Sequence, residues 1–170
     1  MSTDKIEKQV TLKAPVSRVW KAISDAKEFG RWFGFTMEGA FEPGRRMKGT
    51  FDGKLDEAEL IAYQKSIGVT PSKLRPLDKN ETFCTIEKIE PERYFSFRWI
   101  PYAIDAECDP SKEATTLVEF RLEASAGGTR LTIVESGFDK VPAHRRERAF
   151  RMNDGGWADQ ADNLRKYVEG

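Results

Sequence analysis

Four segments between Thr82 and Ser136 constrain this chain more than any other feature. They run from Thr82 to Ile89, Tyr94 to Ile100, Thr116 to Ala124 and Thr129 to Ser136, with turn signals at Glu90-Pro91-Glu92 and Gly127-Gly128. In YFSFRW, Phe95, Phe97 and Trp99 share one face and Ser96 and Arg98 the other; in TLVEFRL, Val118, Phe120 and Leu122 oppose Glu119 and Arg121. Successive strands of this kind predict an antiparallel meander. A sheet that is aromatic on one face and charged on the other needs a cover, and the long C-terminal segment is the element left to supply it. Its stripe is Phe150, Trp157, Ala161, Leu164 and Val168.

The remaining chain fits around that meander. Ile6 to Lys13 reads as a first strand, with Lys8 interrupting the apolar row of Ile6, Val10 and Leu12. A helix follows, with Pro15 placed in its first turn and Val16, Val19, Trp20 and Ile23 on one face. A short second helix or turn holds Phe29, Trp32 and Phe33, and Phe35 to Phe41 with Arg46 to Asp52 predict a hairpin around Glu42-Pro43-Gly44. Residues 53–80 read as an insertion, with a candidate helix over Leu55 to Ile67 that places Leu60, Tyr63 and Ile67 together. The 170 residues suit one domain spanning 1–170.

Charge excludes several function classes. Acidic and basic residues balance at 28 each, so no global field draws in nucleic acid or anionic lipid, and no apolar run approaches a bilayer span. The N-terminal MSTDKIEKQV carries no apolar signal segment, and Cys84 and Cys108 lie in no ligand-like spacing. These features make the cytoplasm the expected compartment, with both thiols reduced. The single histidine, His144, has no neighbouring cysteine, which argues against a zinc site or a histidine-based triad; no cofactor is expected. The basic stretch HRRERAFR (144–151) reads as a solvated helix face, and Gly127-Gly128 as a hairpin turn with no helix after it to cradle a phosphate.

Two features of the last two elements ask for an explanation. Gly155 and Gly156 sit inside the terminal helix directly before Trp157, although each interior glycine costs roughly 0.5–1 kcal/mol relative to alanine. They let the backbone approach its neighbour closely, leave room for a guest, or relieve crowding beside the tryptophan. Strict alternation along LTIVES puts Glu135 with Leu131 and Ile133 on the apolar face, and Asn153 and Asp154 interrupt the helix stripe. Glu135 either stands at a strand end reaching water or projects with Asn153 and Asp154 toward one end of a cavity.

The order of strand, two helices, six strands and a long terminal helix is accompanied by APVSRVWKAI (14–23), FEPG (41–44), IEPERYFSFRW (89–99), GGTRLTIVESGF (127–138) and GWADQADNLRKYV (156–168). Together these resemble the START-like (SRPBCC) helix-grip superfamily, and more narrowly its bacterial branch related to the activator of the heat-shock-protein-90 ATPase. The resemblance implies an α+β fold in which a curved antiparallel sheet grips the terminal helix around a cavity. Members bind lipids, hormones or polyketides, some catalyse cyclisation or hydration, and one branch acts as a co-chaperone. Many carry histidine at the position of Glu135, where this chain departs from the pattern.

Three function classes follow. The first is noncatalytic binding of a small apolar ligand between sheet and terminal helix. Its candidate contacts are Trp32 and Phe35, then Phe97, Trp99, Phe120, Ile133 and Glu135 of the sheet, then Asn153, Asp154, Gly156 and Trp157 of the helix. The second is docking on a protein partner, by analogy with the eukaryotic activator, whose additional N-terminal domain this chain lacks; a homodimer contact through the first strand or the insertion is equally open. The third is an acid–base enzyme on an apolar or aromatic substrate, which requires two titratable groups to converge, Glu135 and Asp154 being the candidates.

Overall fold

The computed structural model describes residues 5–170, so the first four residues of the N-terminal segment read above lie outside it. The elements are β1 (Lys5–Leu12), α1 (Val16–Ser24), α2 (Ala26–Phe33), β2 (Phe35–Met37), β3 (Arg46–Phe51), α3 (Glu57–Ser66), β4 (Thr82–Glu90), β5 (Tyr94–Trp99), β6 (Thr116–Ser125) and β7 (Gly128–Ser136). A 3-10 turn at Phe138–Lys140 leads into α4 (Ala143–Glu169). The strands form one antiparallel sheet in the order β1-β7-β6-β5-β4-β3-β2. Each strand of the predicted meander is found within a residue of its expected ends. The curved sheet holds α4 against its apolar face, the α+β helix-grip arrangement.

Register explains which side chains meet on that face. Ile6, Glu135, Val118, Phe97 and Ile86 stand side by side across five strands, and Lys8, Ile133, Phe120, Phe95 and Ile89 form the next row. Lys8 is therefore an inward-row residue, and it ends in an ion pair with Asp154 of α4 at 2.9 Å. Two bulges bend β4. Glu87 is the extra residue opposite β5, and Phe83 the extra residue opposite β3. The first lets Ile86 and Ile89, three apart, both face inward. The second turns the Phe83 ring toward the interior although Cys84 beside it is also buried.

The helices are set by their ends. Pro15 stands at the N-cap of α1, one position before the first turn expected for it. Asp25 caps α2 by accepting from the backbone N–H of Lys27 and Glu28, and Gly34 ends it in the left-handed region at φ +87°. α2 carries Phe29 and Trp32 into the core, where the Trp32 indole donates to the Ala22 carbonyl at 2.9 Å. β2 is shorter than predicted, because the chain leaves the ladder at Glu38 and Phe41 instead packs over Phe95 with ring centroids 5.2 Å apart.

The insertion does contain a helix, α3, capped by Asp56. Its apolar row is not what packs: Tyr63 is 42% exposed, whereas Gln64 is fully buried between Tyr102 and Ser72. The expectation of a solvated basic face at 144–151 fails in the same region. Arg145 and Arg148 are buried, while His144 stays exposed. Arg145 binds Glu113 and the Pro101 carbonyl; Arg148 binds Asp105 at 2.9 Å, the Thr70 carbonyl at 2.7 Å and Glu107 at 3.0 Å. Ser72 also donates to Asp105. The loops at residues 70–72 and 101–113 are thus fastened to α4 by buried charge, which works only because each charge meets a partner.

Candidate functional site

A cavity of about 460 Å³ opens between the β2–β5 half of the sheet, α4 and the insertion. Its inner wall is aromatic because side chains from four elements, α2, β4, β5 and α4, converge there. The Phe33 ring lies 5.7 Å from Phe83, 6.0 Å from Trp99 and 6.1 Å from Trp157, and Trp99 lies 5.6 Å from Trp157, all between ring centroids. Met152, Asn153, Gly156 and Gln160 supply the α4 wall, and Leu60 and Leu77 of the insertion close the opposite side. At the mouth, Phe51, Leu55 and Leu77 are each more than a third exposed, an apolar rim of the kind that marks a binding opening.

The two glycines of α4 have different reasons. A methyl group on Gly155 would lie 2.4 Å from the Tyr63 hydroxyl, so this position permits α3 to approach α4. The close approach is to the insertion helix. Gly156 has nothing within 4 Å of the same virtual methyl and lines the cavity, so its missing side chain is open space.

Glu135 lies at the back of the aromatic wall with no exposed surface. Its carboxylate accepts from Trp99 Nε1 at 2.7 Å, Trp157 Nε1 at 2.8 Å and Thr116 Oγ1 at 2.6 Å, and both oxygens accept from Asn153 Nδ2 at 3.0 and 3.1 Å. Burial pushes its pKa up from the ordinary glutamate value, opposed by those four donors, the Thr116 hydroxyl first. The alternative that Glu135 reaches water at a strand end is thereby corrected: its row places it opposite Val118, under α4. The carboxylate organises the wall by fixing two indole rings and one amide.

Of the side chains anticipated for the site, Phe35, Trp99, Asn153, Gly156 and Trp157 line the cavity. Trp32, Phe97, Phe120 and Ile133 pack behind them in the core, and Glu135 is reached only through Trp99, Trp157 and Asn153. Asp154 does not join Asn153 there; one residue on, it turns toward Lys8 of β1. Phe33, Phe83, Tyr102 and Met152 were not anticipated. Phe83 was masked by its bulge, and Tyr102 by a loop that carries no periodic signal. Burial pushes the Tyr102 hydroxyl up to about 12, so it stays protonated at neutral pH, accepting from Gln64 Nε2 at 2.7 Å.

Among the described residues, no group of three His, Cys, Asp or Glu side chains is placed to hold a metal, and no helix is long and apolar enough to cross a membrane. Both cysteines are free and buried, and burial pushes their thiols up.

Comparison with known proteins agrees with this architecture. Similar solved structures include protein MLL2253 of Mesorhizobium loti, with a TM-score of 0.66 and 20% identity over 97% of this chain and 96% of that one. CalU16 of Micromonospora echinospora gives a TM-score of 0.59 at 18% identity, over 98% of this chain and 74% of that one. DynU16, from the dynemicin biosynthetic locus, gives 0.59 at 19% identity, and this chain spans 47% of its length. At these identities the likeness is one of fold. No curated protein matches in sequence. The model of one family does match, over residues 3–169, and on that match the chain belongs to the polyketide cyclase/dehydrase and lipid transport family.

Proposed function

We propose that the protein binds a small, ring-bearing apolar molecule in the cavity between sheet, insertion and α4, without transforming it. The observation that carries this reading is Gly156: a helix tolerates its weakest residue where the missing side chain opens onto a cavity of about 460 Å³ walled by Phe33, Phe83, Trp99 and Trp157. Family membership supports ligand binding in general.

Binding without chemistry is favoured by the placement of the two carboxylates anticipated as acid and base. The acid–base alternative requires Glu135 and Asp154 to converge beside the ligand. Glu135 has its oxygens occupied behind the wall, and Asp154 is paired to Lys8. The narrower resemblance to the heat-shock-protein-90 ATPase activator branch has no counterpart in the family model that matches.

Native mass spectrometry of the protein purified from its own host, compared with a denatured sample, tests the reading. A reproducible noncovalent companion that is lost in Gly156→Leu is the expected result. A companion retained by a correctly folded Gly156→Leu protein would place the ligand elsewhere and overturn it.

A further inference from the structure

The polar atoms of the cavity differ in what they leave free. Trp99 Nε1 and Trp157 Nε1 can only donate, and each takes a lone pair on a different oxygen of Glu135. The Asn153 side chain approaches both oxygens with one atom, its Nδ2, which donates to them. The amide is therefore locked in one orientation, with Oδ1 directed away from Glu135 on a residue that lines the cavity. The other inner polar groups point elsewhere: Gln160 Nε2 donates to the Phe33 carbonyl at 3.0 Å, and the Tyr102 hydroxyl is turned to buried Gln64.

Charge at the mouth has one sign. Asp78, Glu81 and Asp159 line the cavity, and among the described residues no lysine, arginine or histidine does. Glu81 is held by Arg75 through two hydrogen bonds of 2.9 and 3.0 Å, which leaves Asp78 and Asp159 as the charges a ligand passes. A concave site with apolar walls strengthens such a field.

Resting on the cavity reading above, we infer that the cavity selects a ring-bearing ligand with a hydrogen-bond donor, such as a hydroxyl, and no anionic group, the donor being received by Asn153 Oδ1. Glu135 is then a positioning residue: it sets which end of the Asn153 amide faces the ligand. The specificity arises because a donor meets a ready acceptor, whereas an ether oxygen or a carboxylate meets lone pairs of like sign.

Isothermal titration calorimetry at neutral pH with 2-naphthol, 2-methoxynaphthalene and 2-naphthoate tests this on the wild-type protein, because the three share a ring system and differ only in the group presented. Naphthol is expected to bind roughly threefold to tenfold more tightly than the ether, the worth of one net hydrogen bond. Naphthoate is expected to bind weakest. In Asn153→Leu, checked for folding by circular dichroism, the gap between naphthol and ether should close with affinity for the ether retained. Equal wild-type affinity for naphthol and ether, or tightest binding of naphthoate, overturns the inference and leaves the cavity reading intact. Absence of binding by all three overturns both.

Discussion

At the scale of the residue, neighbouring positions of the same type carry different physical loads. Gly156→Ala adds a methyl to empty space and removes a helix-weakening residue, so chemical denaturation should show a gain of about 0.5–1 kcal/mol. Gly155→Ala gains the same propensity but forces the half-exposed Tyr63 ring aside, and its stability should fall below that of Gly156→Ala; with both measured in a Tyr63→Ala background the difference should disappear. Glu135 gives a test with a sign in pH. Its folded-state pKa lies above the ordinary glutamate value of 4.5, so the folded protein holds a proton that the unfolded chain has released. The stability that Glu135 contributes should therefore be fully present at acid pH and decline as pH rises from 4.5 through the raised value. Glu135→Gln lacks that slope. It should also be less stable by about 1–3 kcal/mol at acid pH, since an amide NH2 facing indole N–H donors leaves one of them unpaired. Thermal melts of both proteins from pH 4 upward would read the narrowing gap.

At the scale of the element, the strands were legible and the loops were not. Period-two alternation with turn residues between the segments located all four meander strands, because a sheet with one wet face writes its register into the sequence. The bulges at Phe83 and Glu87 broke that code locally, and the first concealed a wall residue of the cavity. The basic start of α4 was misread for a related reason. Helical periodicity places Arg145 and Arg148 three apart on one face, but their burial depends on Asp105 and Glu113, acidic residues in a loop that the sequence gives no means of locating. Arg148→Met removes the closest cation from the buried Asp105 carboxylate, leaving Arg145 at 3.8 Å, and should cost about 3 kcal/mol. Adding Asp105→Asn should recover part of that loss, and a double-mutant cycle by urea denaturation measures the coupling. Amide exchange in residues 100–113 should quicken in the single mutant, because this ion pair is one of the ties, with those of Arg145, that hold the loop to the helix.

At the scale of the whole molecule, the cavity is a product of three separate regions closing on one another. The insertion supplies Leu55, Leu60 and Leu77, and two of these are substantially exposed at the mouth. Replacing Leu55 and Leu77 together by serine should lower the melting temperature by only a few degrees, since both side chains are already more than a third exposed, while weakening binding of 2-naphthol in the calorimetric titration. A large fall in melting temperature would instead make the rim a structural contact. The sequence by itself determined the strand order along the chain, the inward and outward faces of the meander, the stripe of α4 and the presence of a polar interruption near Trp157, because each is written in spacings of a few residues. Only the tertiary structure decided that β1 pairs with β7, that Gly155 and Gly156 serve different neighbours, that Asp154 leaves the site for Lys8, and that Glu135 is sealed behind two indoles. These facts depend on contacts between residues tens of positions apart, where burial and hydrogen bonding are set by whichever surface arrives, and local spacing carries no record of that arrival.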